Sequence, residues 1–257
     1  MRTIVMKFGG AAVQSLRHIE KAALLIENKR QEFERIIVVV SAMANMTDNL
    51  FRLAAAVHPN PPKREVDMLI SVGERVSMSL LAMALDKRGL SAISFTGSQS
   101  GIITSDRHTD AKITNVRPLR LLKHLEEGKI VIVAGFQGVS PAHEITTLGR
   151  GGGDTTAVAL AVAFGAEKAE FYKDVEGVFA QDPKKNPGAE FYPYLNYRQT
   201  LDIVKKGAKI LHPRAVCLAA KNFLPLQIRS FQNSAEGTLI EERAPVPRPA
   251  PVFEVEI

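Results

Sequence analysis

The sequence predicts an α/β fold built on an open, mainly parallel sheet that carries helices on both faces. Three short apolar runs, at residues 3–8, 36–40 and 130–134, have the continuous hydrophobicity of strands that are buried on both sides. Helical patterns separate these runs, and strand–helix alternation of this kind is typical of sheets with helices on both faces. Because ligands of such sheets bind beyond the carboxyl ends of the strands, we expect the functional site at that edge.

The remaining elements follow from hydrophobic spacing along the chain. Apolar residues recur at helical intervals between residues 12 and 33, which predicts a long helix there. A helix is also expected to begin near Pro213, which suits a first helical turn. Further helices are predicted at residues 64–88, 116–127 and 154–165, and further strands at residues 91–95, 168–172 and 225–230.

The length of 257 residues suits one large α/β domain. Residues 1–240 are predicted to form this domain. Residues 241–257 include the proline-dense stretch RAPVPRPAP. Proline at this density favours an extended, semi-rigid linker or tail that does not add to a packed core.

Composition excludes several classes of protein. The 33 basic and 27 acidic residues are scattered, Trp is absent and aromatic residues make up 6% of the chain. A nucleic-acid partner is therefore not expected, and a net charge of +6 better suits a small anionic substrate. The sequence offers neither a signal-peptide core nor about 20 uninterrupted apolar residues, so no membrane partner is expected. A single cysteine, Cys217, excludes a disulfide framework and fits a cytoplasmic protein.

The most informative stretch is LGRGGGDTTAVALAVAFG at residues 148–165, where a glycine loop leads into an apolar helix. Such a loop leaves backbone N–H groups uncovered at a helix N-terminus, where the helix dipole favours anions. Asp154, at the junction, can cap the helix or bind a metal or lysine beside the phosphates. A second glycine pair, Gly9 and Gly10, follows the first predicted strand. Together the two turns predict a phosphate-binding site.

Several polar residues near these turns allow two interpretations. Lys7 interrupts an apolar strand, so it either extends its ammonium to solvent at the strand end or faces an anion. The adjoining glycine turn favours the anion. Ser41 and Thr47 follow the second strand, where helix capping is the simpler interpretation. Glu74 reads as an exposed helix acid, although apolar residues four positions away on either side leave it without a helical ion pair.

Other charged residues belong to the loops after later elements. Arg150 lies between glycines, where its planar guanidinium suits a carboxylate or phosphate, although a solvated arginine is the alternative. The segment 173–184, KDVEGVFAQDPK, is rich in turn residues, and turns alone would account for its Gly and Pro. Lys209 precedes the helix near Pro213, and the neighbouring His212 is interpreted as structural.

In these motifs the sequence resembles the aspartate kinase catalytic domain, a member of the amino acid kinase superfamily. The resemblance runs in order from about Thr3 to Ile240. It implies a three-layer α/β/α sandwich and ATP-dependent phosphorylation of the side-chain carboxylate of L-aspartate to 4-phospho-L-aspartate, the first step towards lysine, threonine and methionine. The motifs that carry it are KFGG at 7–10, SVGER at 71–75, SFTGSQSGIIT at 94–104, IVIVAGFQGVS at 130–140, EITTLGRGGGDTTAVALA at 144–161, KDVEGVFAQDPK at 173–184 and GAKILHPRAV at 207–216.

The resemblance also assigns roles by matching positions. It implies catalytic roles for Lys7, Asp154 and Lys209, and aspartate binding by Thr47, Glu74, Arg150 and Gly153. It implies a nucleotide site formed by Lys7, Gly9, Gly10, Ser41, Lys173, Asp174, Phe179, Lys184, Lys209 and Ile210. ATP and Mg²⁺ are the implied cofactors; Mg²⁺ is expected to be held mostly by ATP oxygens, so no protein metal centre is predicted. A homo-oligomer is expected.

The sequence departs from the family pattern at several positions. Ala11 and Ala12 replace the Thr-Ser of KFGGTS, Gly153 replaces a serine, and Lys173 and Phe179 replace a hydroxyl residue and a tyrosine. Each lost hydroxyl removes ~1 kcal/mol of hydrogen bonding. Relatives usually continue into ACT domains, so the chain is expected to be naturally ACT-less, a catalytic fragment, or the partner of a separate ACT-domain subunit. Two functions are the alternatives to an aspartate kinase. One is a relative that phosphorylates glutamate, carbamate or a nucleotide, and the other is a non-catalytic nucleotide-binding regulatory subunit.

Overall fold

The computed structural model describes residues 1–181, 183, 186, 188–208, 210–242 and 247–254. The strands are β1 (Thr3–Phe8), β2 (Arg35–Val40), β3 (Ala92–Phe95), β4 (Ile102–Thr104), β5 (Ile113–Val116), β6 (Ile130–Ala134), β7 (Gln137–Val139), β8 (Ile145–Thr147), β9 (Lys168–Lys173), β10 (Val178–Phe179), β11 (Phe191–Tyr192), β12 (Tyr194–Leu195), β13 (Leu226–Ser230) and β14 (Thr238–Ile240). The helices are α1 (Leu16–Lys29), α2 (Met46–Val57), α3 (Lys63–Ile70), α4 (Val72–Asp86), α5 (Leu119–Glu126), α6 (Gly152–Ala163), α7 (Tyr197–Lys205) and α8 (Pro213–Lys221).

Eight of these strands form one mainly parallel sheet in the order β12-β14-β13-β9-β1-β2-β6-β3. β1 lies near the centre and pairs in parallel with β2 on one side and β9 on the other. β14 runs antiparallel to β13 and parallel to β12. The α/β class and the mainly parallel sheet predicted from the sequence are confirmed.

Helices cover both faces of this sheet, which gives three layers. α1 and α4 pack on one face, against alternate side chains of β1 such as Ile4 and Met6. α5, α6 and α8 form the layer on the other face, where Val5 of the same strand is buried. Since successive side chains of a strand point to opposite faces, Lys7 shares the face of Val5 and meets α6.

A second, four-stranded sheet, β5-β4-β7-β8, and a hairpin of β10 and β11 lie outside the central sheet. The sequence did not predict them. Their strands are two to four residues long, which is too short for hydrophobic alternation to stand out. The small sheet matters for function, because β8 leads directly into the glycine loop.

Two predicted helices differ from those observed. In place of one helix over 12–33, a 3-10 turn at Gly10–Val13 precedes α1, which ends at Lys29. The predicted helix 64–88 is divided at Ser71 into α3 and α4. Val13, before α1, and Phe33, after it, are both buried. Such residues continue the helical spacing of the sequence beyond the ends of the helix itself. Cys217 is exposed on α8.

The pair α3–α4, residues 63–86, is long and apolar enough by length and composition to cross a membrane, since its most apolar 18-residue window has a mean hydropathy of 1.5. Of this window, 44% is buried within the fold. α4 contacts α1, β3 and β6, and its Leu81 and Leu85 are fully covered. Apolar side chains of this stretch therefore pack against other elements of the domain.

The described part of the C-terminal segment, residues 247–254, runs across the domain surface and is attached to it. Asn222 exchanges two hydrogen bonds of 2.8 Å with the backbone of Val252, and Phe253 packs against the core cluster beneath α6 and α8. The expectation that this segment adds nothing to the core is therefore wrong for Phe253. Proline does keep it extended, but an extended segment can still lie against a core.

Candidate functional site

Two adjoining cavities open at the carboxyl edge of the central sheet, where the sequence predicted the site. The first, here called the glycine-loop cavity, has a volume of 860 Å³ and lies beyond β1, β2 and β6. The second, the β9 cavity, has a volume of 850 Å³ and lies beyond β9. The predicted site residues that line the first are Lys7, Gly10, Ser41, Thr47, Glu74, Arg150, Gly153 and Asp154. Those that line the second are Lys173, Asp174, Phe179 and Ile210.

The glycine loop reaches the cavity because its backbone adopts conformations that favour glycine. Gly149 and Gly151 have φ angles of +70° and +74°, in the left-handed region. Gly151 is the N-cap of α6, so the positive end of this helix lies at the cavity wall. A Cβ atom at Gly151 would lie 2.0 Å from Cγ of His212. The loop therefore fits only with glycine at this position.

This fit gives a paired prediction. Gly151→Ala combines a strained φ with a steric clash, so we expect a loss of about 2 kcal/mol in unfolding free energy and a displaced loop. Gly153→Ala is the matched control, because a Cβ there would make ordinary contacts of 3.5 Å with Cε of Lys7 and Oγ of Ser41. Thermal and chemical unfolding of the two variants measures the difference. Equal stability of both variants would contradict the loop geometry.

Lys7, Asp154 and Lys173 form a buried chain of alternating charges between the two cavities. The ammonium of Lys7 lies 2.8 Å from Oδ1 of Asp154, and that of Lys173 lies 3.5 Å from Oδ2. Burial alone would raise the pKa of Asp154, but the ammonium groups of Lys173 and Lys7 outweigh it and lower this pKa to about 2. Burial lowers the pKa of Lys173. The carboxylate is thus fixed as an anion between two cations.

Gly9 and Ser41 complete the surroundings of this chain. A Cβ atom at Gly9 would lie at an ordinary contact distance of 3.6 Å from Nζ of Lys7, so the backbone of Gly9 runs beside the ammonium. Ser41 follows β2 directly, and α2 begins only at Met46 with Asn45 as its N-cap. Neither Ser41 nor Thr47 caps α2 in the way the simpler interpretation predicted. Both line the glycine-loop cavity instead.

Glu74 is buried on α4 rather than exposed, so the interpretation as a solvated helix acid is wrong. Only 4% of the residue is exposed, and its Oε1 accepts a hydrogen bond of 3.2 Å from the backbone N–H of Ala42. Its Oε2 is also buried and has no hydrogen-bond partner among the described residues. Burial raises the pKa of Glu74 to about 7. A buried carboxylate that lacks a partner on a cavity wall suits a cationic ligand group.

Arg150 also lines the glycine-loop cavity and is exposed. The cavity is thus lined by an arginine from the glycine loop, a lysine from the sheet and an acid from α4. This distribution suits a small molecule that carries carboxylate groups and one cationic group.

The β9 cavity combines charged and apolar walls. Lys173 and Asp174 lie at its sheet end, while Phe179, whose ring is 5.2 Å from that of Phe191, and Ile210 supply apolar surface. Such a cavity suits a ligand with a flat apolar part and an anionic part. Lys184 and Lys209, which the resemblance also assigns to this site, lie outside the described residues.

The structure adds residues that the sequence did not single out. Phe51 and Arg52 of α2, and Thr109 and Thr147 near the small sheet, line the glycine-loop cavity. Thr109 has a φ of +69° and its N–H donates to the fully buried Asp67, as does the hydroxyl of Thr147. The segment DRHTD at 106–110 is polar and lacks periodicity, so only the tertiary structure shows that its Thr109 lines the cavity.

The sequence profile of the amino acid kinase family matches residues 2–230. An aspartokinase of Geobacillus stearothermophilus is 48% identical over 242 residues, which cover 94% of this chain and 60% of that protein. The crystal structure of aspartate kinase from Synechocystis superimposes with a TM-score of 0.87 at 42% identity, over 98% of this chain and 42% of that one. E. coli aspartokinase III in complex with aspartate and ADP has a TM-score of 0.84 at 26% identity, over 95% of this chain and 65% of that one.

These matches extend over nearly the whole chain but only part of each relative. The chain spans 60% of the length of the Geobacillus enzyme and 42% of the Synechocystis structure. The similarity therefore concerns the folded unit described above, with both of its cavities.

Proposed function

The chain belongs to the amino acid kinase family, and we propose that it transfers the terminal phosphoryl group of ATP to the side-chain carboxylate of L-aspartate, giving 4-phospho-L-aspartate. The observation that carries the proposal is the buried chain of Lys7, Asp154 and Lys173, which joins the two cavities. A phosphoryl group that passes from one cavity to the other would cross beside these cations.

The chemistry of this reaction fits the residues of the site. The attacking carboxylate has an unperturbed pKa of about 3.9, so it is ionised near neutral pH and needs no general base. Two anions must instead be brought together, and phosphoryl transfer depends mainly on positioning and on charge stabilisation. Lys7 would neutralise charge on the transferring phosphoryl group. The resemblance to aspartate kinases implies the same role for Lys209. Asp154 would hold the ammonium groups of Lys7 and Lys173 in place.

Selection of an amino acid would rest on charged residues that line the glycine-loop cavity. Arg150 would bind the α-carboxylate of aspartate, because its guanidinium can form two parallel hydrogen bonds with a carboxylate. Glu74 would bind the ammonium through its free Oε2. Thr47 lines the same cavity, and the backbone at Gly153 lies beside Lys7.

The nucleotide would occupy the β9 cavity. Its base would contact Phe179 and Ile210, and its phosphates would extend towards Lys173, Lys7 and the Gly9–Gly10 turn. Mg²⁺ would be held mainly by phosphate oxygens. Asp174 is a carboxylate of this cavity that could add a ligand. When bound, Mg²⁺ would neutralise charge on the phosphates.

The raised pKa of Glu74 gives a pH prediction. Because only the ionised carboxylate pairs with an ammonium, lowering the pH below about 7 should raise the KM for aspartate by about tenfold per pH unit. Above pH 7 the KM should be constant. Glu74→Gln is expected to raise the KM at pH 8 by about tenfold or more and to abolish its dependence on pH. The KM for ATP serves as the internal control, since it should stay unchanged between pH 6 and 8.

The test of the function is chemical trapping of the product. The purified chain, incubated with Mg-ATP, L-aspartate and hydroxylamine, should form aspartyl hydroxamate together with ADP. Release of ADP with L-glutamate, carbamate or UMP tests the alternative substrates of the family. If the chain binds Mg-ATP but forms no trapped acyl phosphate with any amino acid and releases no ADP with carbamate or UMP, it is a nucleotide-binding regulatory subunit, which the missing hydroxyls at Ala11, Ala12 and Gly153 would then explain.

The remaining expectations concern the assembly of the chain with other subunits and its location in the cell. A homo-oligomer, a separate ACT-domain subunit and a cytoplasmic location stay predictions. The exposed apolar side chains Phe51, Leu53 and Val57 of α2 support an oligomer, because α2 contains no buried residue and leaves them uncovered.

A further inference from the structure

The guanidinium of Arg214 connects three separate segments behind the glycine loop. Arg214 is the second residue of α8, and its side chain is largely buried. It donates hydrogen bonds to the backbone carbonyl of Leu148, which immediately precedes the loop, and to that of Ala111 at 2.9 Å. Its Nε and Nη2 bind the two carboxylate oxygens of Glu254 at 2.8 and 2.9 Å. One side chain thus joins the glycine loop, the approach to β5 and the C-terminal segment.

Glu254 is held in position for this contact. Its backbone N–H donates to the carbonyl of Ile113, and its Oε2 accepts from the N–H of Ile113, both at 2.9 Å. The neighbouring Phe253 packs against the core. The paired arrangement of carboxylate and guanidinium is the geometry in which an ion pair is strong and directional. Asp110, 3.7 Å from Arg214, adds a weaker second anion.

The glycine loop depends on such support from outside. Gly149 and Gly151 leave its backbone free to adopt many conformations, so its own sequence does not fix the position of Arg150. Two contacts from the start of α8 supply the constraint. The ring of His212 lies against Gly151, and Arg214 binds the carbonyl at residue 148.

We propose that Arg214 is a positioning residue for the aspartate half of the site, and that Glu254 of the C-terminal segment holds it in its working orientation. Arg214 does not line either cavity, so it acts through the glycine loop and Arg150. Amino acid affinity therefore depends on a segment that the proline-rich stretch connects to the end of the sheet. The inference rests on the function proposed above.

The test compares Arg214→Lys and Glu254→Gln with the unaltered chain in the hydroxamate assay. A lysine cannot reach all three acceptors at once, so we expect the KM for aspartate to rise about 10-fold, with the KM for ATP unchanged. Glu254→Gln should shift the KM for aspartate in the same direction by a smaller factor. Since Glu254 acts through Arg214, the double variant should be no worse than Arg214→Lys.

Arg198→Lys on α7 and Glu236→Gln, both at exposed positions, are the matched controls and should leave each KM unchanged. Hydrogen exchange of the amides of Gly152 and Thr155, which close the loop onto α6, should accelerate in Arg214→Lys and Glu254→Gln while β1 stays protected. An unchanged KM for aspartate in both variants, or an equal rise of both KM values, would overturn the proposal. If the unaltered chain makes no hydroxamate, the proposed function fails, and unchanged exchange of the loop amides then overturns the positioning role of Arg214 and Glu254.

Discussion

Replacing Lys7 with alanine is expected to lower kcat by about 10³-fold while the fold persists. The ammonium of Lys7 is buried at the junction of the two cavities, where low polarity strengthens its effect on developing negative charge. The fold should survive, because Asp154 keeps its second cation, Lys173, at 3.5 Å. The hydroxamate assay measures kcat, and circular dichroism and thermal unfolding measure the state of the fold.

Lys63→Ala provides the control, since Lys63 is exposed at the start of α3. It should leave kcat unchanged. Lys7→Arg keeps the charge but carries a larger head group in a closed space, so we expect only partial recovery. Near-normal turnover of the alanine variant would remove Lys7 from the mechanism and leave the buried ion pair as a structural feature.

The sequence located β3, β9 and β13, which are only partly buried, but it predicted most clearly the strands that are buried on both faces. β1, β2 and β6 are buried along nearly all of their length, so almost every position inside them selects an apolar residue and the run is easy to recognise. Lys7 is the exception in the interior of these strands, and it stands out for the same reason. A charged residue in a fully buried strand requires a partner, and the structure supplies Asp154 from the helix packed on that face.

The parts that the sequence could not predict depend on contacts between distant segments. The only local sign against an exposed Glu74 was the lack of a helical ion-pair partner, because the loop after β2, and not its own helix, covers it through Ala42. The contact of Glu254 with Arg214 joins residues 40 positions apart in a stretch whose composition resembles a linker. Local patterns report burial against a regular surface, but they do not report which loop covers which side chain.

The sequence predicted only in part that the carboxylate of Asp154 lies between two lysines, and this arrangement has a large expected effect on stability. The sequence placed Asp154 at a helix start, where it could cap the helix or bind a lysine. The parallel pairing of β1 with β9 brings Lys7 and Lys173 onto neighbouring strands, so that one carboxylate faces both. The pairing of these strands, rather than any local motif, determines the charge balance of the site.

Asp154→Asn should therefore both destabilise the fold and inactivate the site. Removing the carboxylate leaves two buried ammonium groups without an anion, which costs about 3–5 kcal/mol of unfolding free energy. We expect kcat to fall by about 10²-fold or more, because repulsion moves Lys7 and Lys173 apart. Unfolding in urea at pH 7 and the hydroxamate assay measure the two effects. Asp202→Asn, at an exposed position on α7, is the control and should change neither.

The pH dependence of stability separates this effect from a general loss of packing. With a folded pKa of about 2 and an unfolded pKa of about 3.9, Asp154 stabilises the fold fully above pH 4, and this contribution is lost as the pH falls towards 2. The asparagine variant cannot take up this proton, so its unfolding free energy should fall less steeply than that of the unaltered chain between pH 4 and 2. Parallel acid profiles for the two proteins would mean that the carboxylate is not held by the lysines in solution.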